Sequence, residues 1–199
     1  MSRHEAKRIG TGYSGFFTIS IVEVTRTAED GTVTTFQREL FERGHAAAVL
    51  IYDHEADKVL LVREFRVGNF GAGLPERLWA DLSPVAGMID KNETPGETAV
   101  REAREETGLD VTTFRMIDNM TVLPSPGGSS ETISLFLLGG DLSGVETATF
   151  GVVSEGEETT REVWDRETAL ALLRSGDPVN GNMATLLLML ERALYEGRT

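Results

Sequence analysis

The segment spanning residues 94–108 constrains the fold more than any other stretch. Thr94 can cap a helix, Pro95 suits the first helical position, and Glu97 three residues on completes a capping box. Gly108 stands where a helix end takes a left-handed residue. The pattern predicts a helix over 94–107 with both ends marked. Its last turns read Arg101-Glu102-Ala103-Arg104-Glu105-Glu106, so Glu102, Glu105 and Glu106 fall at i, i+3 and i+4 on one face. Like charges at that spacing weaken a helix by roughly 0.2–0.5 kcal/mol per pair. Glu97 with Arg101, and Arg101 with Glu105, offset part of this, whereas Glu102 and Glu106 share a ridge without a basic partner. Carboxylates held so close either raise one another's pKa or recruit a cation. An all-oxygen set of this kind suits Mg²⁺ or Mn²⁺ rather than zinc.

Away from this helix the dominant period is two. Residues 16–24 and 32–41 alternate about Ala28-Glu29-Asp30-Gly31 and predict an antiparallel hairpin. Residues 46–52 and 58–65 form a second strand pair. Residues 67–75, with three glycines and a proline, predict a loop, and 78–86 a short strand interrupted by Pro84. Strands over 116–122 and 132–139 flank a turn-rich run at 124–130. A strand at 162–164 and helices over 167–174 and 182–196 close the chain, the apolar stripe at 183–190 being core. Strands that interleave with a few helices imply a mixed sheet packed between helices, an α/β fold.

At 199 residues, 40% hydrophobic and 26% charged, the chain suits one globular domain of ordinary size. It has no cysteine, which excludes disulfides and thiolate metal sites and fits the expected cytoplasmic location. A net charge of −13 argues against a nucleic-acid polymer as partner. No apolar run approaches the roughly 18–20 residues that cross a membrane, so no membrane association is expected. The charged first ten residues lack the apolar core of a signal peptide. His4, His45 and His54 are not spaced as a zinc set, and no G-x-S-x-G elbow, Walker loop or G-x-G-x-x-G fingerprint is present. Gly68, Gly71 and Gly73 fit a loop.

The wider spacing is more specific than the acidic helix. From Gly87, five residues lead to Glu93 and seven more to Arg101-Glu102; Ala103, Glu105-Glu106, Gly108 and Leu109 follow. This is similar to the Nudix signature, in which a glycine, five residues, a glutamate and seven residues precede R-E-U-x-E-E-x-G-U, with U aliphatic or small. Every position matches, and seven fixed identities arise by chance on the order of once in 10⁸ starts. The resemblance implies a Nudix α/β/α sandwich around a mixed sheet, and hydrolysis of a nucleoside diphosphate linked to another group. It implies Mg²⁺, with Mn²⁺ as substitute, held by Glu102, Glu106 and the carbonyl of Ala86. Glu105 would be a further ligand or a catalytic carboxylate just behind them. Gly87, Glu93 and Arg101 would support the loop and helix.

Outside the signature, Gly15-Phe16-Phe17, residues 38–47 and Ser125-Pro126-Gly127-Gly128-Ser129-Ser130-Glu131 resemble bacterial ADP-ribose pyrophosphatases. Pro124 and Pro126 lie in the window past Gly108 that is linked to ADP-ribose preference. That resemblance implies cleavage of a small nucleotide sugar, ADP-ribose, to AMP and ribose 5-phosphate. It also implies a homodimer in which antiparallel strands in residues 1–43 swap across the interface, with residues 44–199 as the hydrolase domain. Phe16 would stack on adenine, Arg38 would reach the substrate from the neighbouring subunit, and Arg66 would bind phosphate on its own. Met88 would join the substrate contacts and Glu131 would meet the terminal ribose. Read without the resemblance, Phe16 serves equally as core, and Arg38 and Arg66 as solvated strand-edge charges. Guanidinium groups do match phosphate bidentately.

The acidic segment at 154–158 has the composition of a mobile catalytic loop, with Glu155 as base and Glu157 as a carboxylate on the metal side. One departure concerns position 83, where relatives usually place a glutamate four residues before the signature glycine and this chain has Ser83. Ser175-Gly176-Asp177-Pro178-Val179-Asn180-Gly181 resembles the related GDP-mannose hydrolases. A GDP-mannose or other nucleotide-sugar pyrophosphatase is therefore the alternative, and a non-catalytic Nudix sensor of nucleotide sugars the second.

Overall fold

The computed structural model describes residues 1–151 and 158–199, and the chain divides into two units. The first comprises Met1–His45 with Leu123–Thr132, the second Ala46–Val122 with Ile133–Thr199.

The first unit is built on an antiparallel sheet of β1 (Arg3–Ser14), β2 (Thr18–Thr27) and β3 (Val33–Glu42), in that order. The expected hairpin is β2–β3. Its turn is closed by Gly31 at φ +84°, a left-handed value that suits glycine, and by the Asp30 carboxylate accepting from Thr32 N–H. β1 was not expected from the sequence. It is rich in charge and glycine, its register against β2 slips beside Gly10 and Gly12, and all of its residues are exposed. The backbone ladder, with the Lys7–Glu23 and Arg8–Glu42 ion pairs, makes it a strand. Residues of the 123–132 segment are tied to β3: Phe41 N–H donates to Gly128 O (2.8 Å) and Ser130 N–H to Phe41 O (3.1 Å). The Glu42 carboxylate receives Arg8 (2.7 Å) and the Ser130 hydroxyl (2.6 Å). These partners, Arg8 foremost, hold its carboxyl down at about 2.

The second unit holds an eight-stranded sheet among the described residues. Its strands are β4 (Ala46–Asp53), β5 (Lys58–Phe65), β6 (Ala80–Ser83), β7 (Val85–Met88), β8 (Arg115–Val122), β9 (Ile133–Gly139), β10 (Ala148–Phe150) and β11 (Thr159–Asp165). The main path runs β10-β11-β5-β4-β9-β8, with β6 on β5 and β7 on β4. β4 and β9 are parallel and the other pairs antiparallel, so the sheet is mixed. The helices are α1 (Val67–Gly71), α2 (Pro95–Thr107), α3 (Arg166–Leu172) and α4 (Gly181–Tyr195), with a 3-10 turn at Glu76–Leu78. The 67–75 stretch, expected to be a loop, therefore contains one short helical turn, which three glycines obscure at sequence level.

Alternation along β4 and β5 sorts the core into two layers. Ala48, Leu50, Val59 and Leu61 face α3 and α4, packing with Leu186, Leu187 and Leu190. Ala47, Val49, Ile51, Leu60 and Val62 face α2 through Ala99 and Ala103. Both faces of β4 are covered, so all its residues are buried, as a central strand requires. The result is the expected α/β/α sandwich. No described helix is long and apolar enough to cross a membrane.

Candidate active site

Pro84 positions the centre of the site. It lacks the N–H that a continuous ladder needs, and the 78–86 strand is accordingly two strands. β6 ends at Ser83 on β5, and β7 begins at Val85 on β4, with Ala86 opposite Ala48 and Gly87 opposite Ala47. β7 thereby runs beside α2. The helix is capped as its sequence implies: Glu97 N–H donates to Thr94 Oγ1, Thr94 N–H donates to Glu97 Oε2 (2.8 Å), and Gly108 sits at φ +70°. Glu97 is thus taken up by the cap rather than by Arg101, contrary to the expected i, i+4 pair.

Arg101 instead organises the loop and the helix face. Its guanidinium donates to Glu93 at 2.9 and 3.0 Å, to Glu102 at 2.7 Å, to Glu105 at 3.0 Å and to the Met88 carbonyl at 3.0 Å. Glu93 also accepts from Thr98 Oγ1 (2.8 Å), and Arg101 foremost holds its carboxyl at about 2. Gly87 has a steric role. A Cβ there would overlap the Glu102 carboxylate where it now lies, so any larger residue would push that carboxylate aside.

Glu106 lies deeper, 6% exposed, and accepts from Ala86 N–H at 3.3 Å. Burial, then the charges of Glu64 and Glu102, push its carboxyl well above the usual carboxylate range, against the pull of Arg66 and the Ala86 N–H. Arg66 follows β5. Its Nη2 contacts Glu64 Oε2 (2.8 Å) and Ser83 Oγ (3.4 Å), while Nε is buried without a partner. Arg66 is therefore not a solvated strand-edge charge. Glu64 is the neighbour that no motif in the sequence marks. The available signal was the strand period, which sets Glu64 and Arg66 on one face.

The donor set suits a divalent cation. Glu106 is a buried carboxyl whose ionisation its neighbours oppose, and the Glu102 carboxylate shares a cradle with the Gly87 backbone. Cations relieve such like-charge crowding. Among the described residues no three acidic or histidine side chains already form a complete ligand group, and Arg101 engages both Glu102 and Glu105 in ion pairs.

Phe16, Arg38 and Glu131 belong to the first unit. Phe16 is 88% exposed and meets Phe17 edge-on at 4.7 Å, so it is not a core residue. Arg38 is exposed and lies over the Phe36 ring at 4.4 Å. Glu131 is paired with Arg43. Glu155 and Glu157 lie outside the described residues. A cavity of about 420 Å³ on the α4 side of the sheet is remote from this chemistry in kind. Arg63 is paired with Glu162, Arg77 with Asp177 and Asn180 with Asp81 around it.

A carboxylate-bearing helix face set against a glycine-bearing strand, in a sandwich of this topology, is an arrangement that suits a divalent cation and an anionic substrate. The NUDIX domain profile matches residues 42–187, and the chain belongs to the Nudix family as a Nudix pyrophosphatase. It is 34% identical over 167 residues to an ADP-ribose pyrophosphatase of Escherichia coli K12, covering 83% of this chain and 77% of that one. It is 33% identical over 172 residues to a GDP-mannose pyrophosphatase of Salmonella paratyphi B, covering 86% of each. The fold is shared with an ADP compounds hydrolase of known crystal structure, at a TM-score of 0.64 and 20% identity, over 98% of this chain and 95% of that one.

Proposed function

We propose that the enzyme hydrolyses ADP-ribose to AMP and ribose 5-phosphate with Mg²⁺, Mn²⁺ serving as substitute. The observation that carries this reading is the pairing of two features on one sheet face: the Glu102–Glu106 carboxylates against β7, and Arg66 with a buried, unpartnered Nε. Glu102, Glu106 and the Ala86 carbonyl would hold the cation, with Glu105 beside them. Bound there, it would neutralise the pyrophosphate and acidify the attacking water. Arg101 and Glu93 brace the loop that presents the Ala86–Gly87 backbone. Arg66 and Met88 bind the substrate, the guanidinium taking phosphate oxygens. Glu155 is the base and Glu157 a carboxylate on the metal side, both assigned from the sequence alone. Water adds to one phosphorus, the bridging P–O bond breaks, and the leaving phosphate takes up a proton.

The same reading makes the protein a homodimer whose swapped N-terminal strands, residues 1–43, bring Phe16 to adenine and Arg38 to the partner's substrate, with Glu131 at the terminal ribose. Support comes from the first unit's sheet, where β1 is exposed throughout and Phe16 and Tyr13 stand 88% and 61% exposed. Exposed aromatics on a thin sheet suit an interface or a ligand. GDP-mannose is the second reading, favoured by the fuller coverage of its pyrophosphatase relative.

Product analysis in excess Mg²⁺ tests the choice. AMP and ribose 5-phosphate are the expected products from ADP-ribose, at a higher kcat/KM than GDP-mannose gives. A clear preference for GDP-mannose would replace the first reading with the second.

A further inference from the structure

Position 83 carries a buried serine, yet the place where it sits is not short of a carboxylate. Alternation along β5 turns Arg63 to the α4 side, where it pairs with Glu162, and sets Glu64 and Arg66 together on the opposite face. The β5–β6 ladder aligns Val62 with Ser83 and Glu64 with Asp81, so Glu64 lies one ladder step from the serine. Arg66 joins the two positions, with Nη2 at 2.8 Å from Glu64 Oε2 and 3.4 Å from Ser83 Oγ. The Glu64 side chain is 16% exposed, so solvent screens this pair little. Ser83 is 1% exposed and fixes the other side of Nη2.

A guanidinium is a rigid planar fork. Holding Nη2 between a carboxylate and a hydroxyl fixes the plane of the group and the direction of its Nε edge. That edge is the one left without a partner.

We propose that Glu64 is a positioning residue for Arg66, setting the direction of its Nε edge from β5. The inference rests on the reading of Arg66 as the phosphate-binding group. Glu64 acts through Arg66 on substrate binding and does not itself hold the cation.

The test uses the full-length enzyme, with Glu64→Gln, Arg66→Lys, the two combined, and Glu64→Gln with Ser83→Glu. Steady-state kinetics use whichever nucleoside diphosphate sugar the wild type cleaves, and Mn²⁺ binding is followed by electron paramagnetic resonance without substrate. Glu64→Gln should raise KM about tenfold with kcat changed less than about threefold, the pattern of lost uniform binding. Mn²⁺ should still bind, its affinity changing no more than about tenfold, since the ligands stay in place while one charge beside Glu106 is removed. In the Arg66→Lys background Glu64→Gln should add nothing further, because the fork it orients is gone. Ser83→Glu should restore most of the KM lost in Glu64→Gln. Should Glu64→Gln fold poorly, Glu64→Asp keeps the charge on a shorter arm and should give an intermediate KM. Multiplying effects of Glu64→Gln and Arg66→Lys would overturn the inference alone, as would a loss of Mn²⁺ affinity beyond about tenfold at unchanged KM. A wild type that cleaves no nucleoside diphosphate sugar would overturn this inference and the functional reading together.

Discussion

Glu106 is where burial and charge conflict most sharply. A carboxyl 6% exposed, with Glu64 and Glu102 nearby, is costly to ionise, and its raised pKa records that cost. Glu106→Gln removes the ionisable group while keeping an oxygen for the Ala86 N–H. Turnover should fall on the order of 10²–10³-fold, the scale on which one group that stabilises developing charge matters. The melting temperature in a chelator should hold or rise, because a buried uncompensated charge has been removed. Wild-type turnover in this variant would refute the metal role, and a collapse in melting temperature would mark the residue as structural. The signature made Glu102, Glu106 and Arg101 legible in the sequence because their spacing is fixed by one helix. Glu64 was not legible in the same way. It sits at the end of a strand, in Arg63-Glu64-Phe65-Arg66, where alternating charges read as solvent-facing until the sheet shows which side each one takes.

At the scale of elements, legibility followed the strength of local chemistry. α2 announced both ends through Thr94, Pro95, Glu97 and Gly108, and the structure uses each of them. β4 and β5 were legible because their apolar runs exceed what a loop carries. β1 was not, since no alternation marks RHEAKRIGTGYS and its strand form depends on pairing with β2. Pro84 marked an interruption but not its consequence, a switch of sheet partner from β5 to β4. The tie between β3 and the 123–132 segment is equally non-local, and it supplies a pH-dependent prediction. The Glu42 carboxyl is lowered from 4.5 to about 2 by Arg8 and Ser130. A depressed carboxyl contributes stability that is complete above its unfolded value and is lost as pH falls through its folded value. Wild type should therefore melt above Glu42→Gln near neutral pH, by on the order of 1 kcal/mol given the partly exposed pair. The difference should shrink below about pH 4.5 and vanish near pH 2. A difference that stays constant on acidification would show that the Glu42 carboxylate charge does not fasten the segment.

At the scale of the whole molecule, the question is what the N-terminal sheet is for. Residues 1–43 hold Phe16 and Arg38 on or beside a sheet whose first strand is exposed along its entire length, so that strand gains little by burial within its own unit. In a swapped homodimer each site draws its metal face from one chain and Arg38 from the other. Two inactive variants should then complement each other. Arg38→Ala disables the sheet's contribution and Glu106→Gln the metal face. In a heterodimer of the two, one site combines both defects and the other has neither. Random assortment after co-refolding makes half the dimers mixed, so about a quarter of all sites should be intact. ADP-ribose hydrolysis should return to about that fraction of wild type, with each variant alone near background. In an unswapped arrangement every site carries one defect, and mixing returns nothing. A mass measurement at micromolar concentration separates the remaining case: a monomer with no recovery on mixing would remove Phe16 and Arg38 from the partner's site and leave substrate selection to the residues around Arg66.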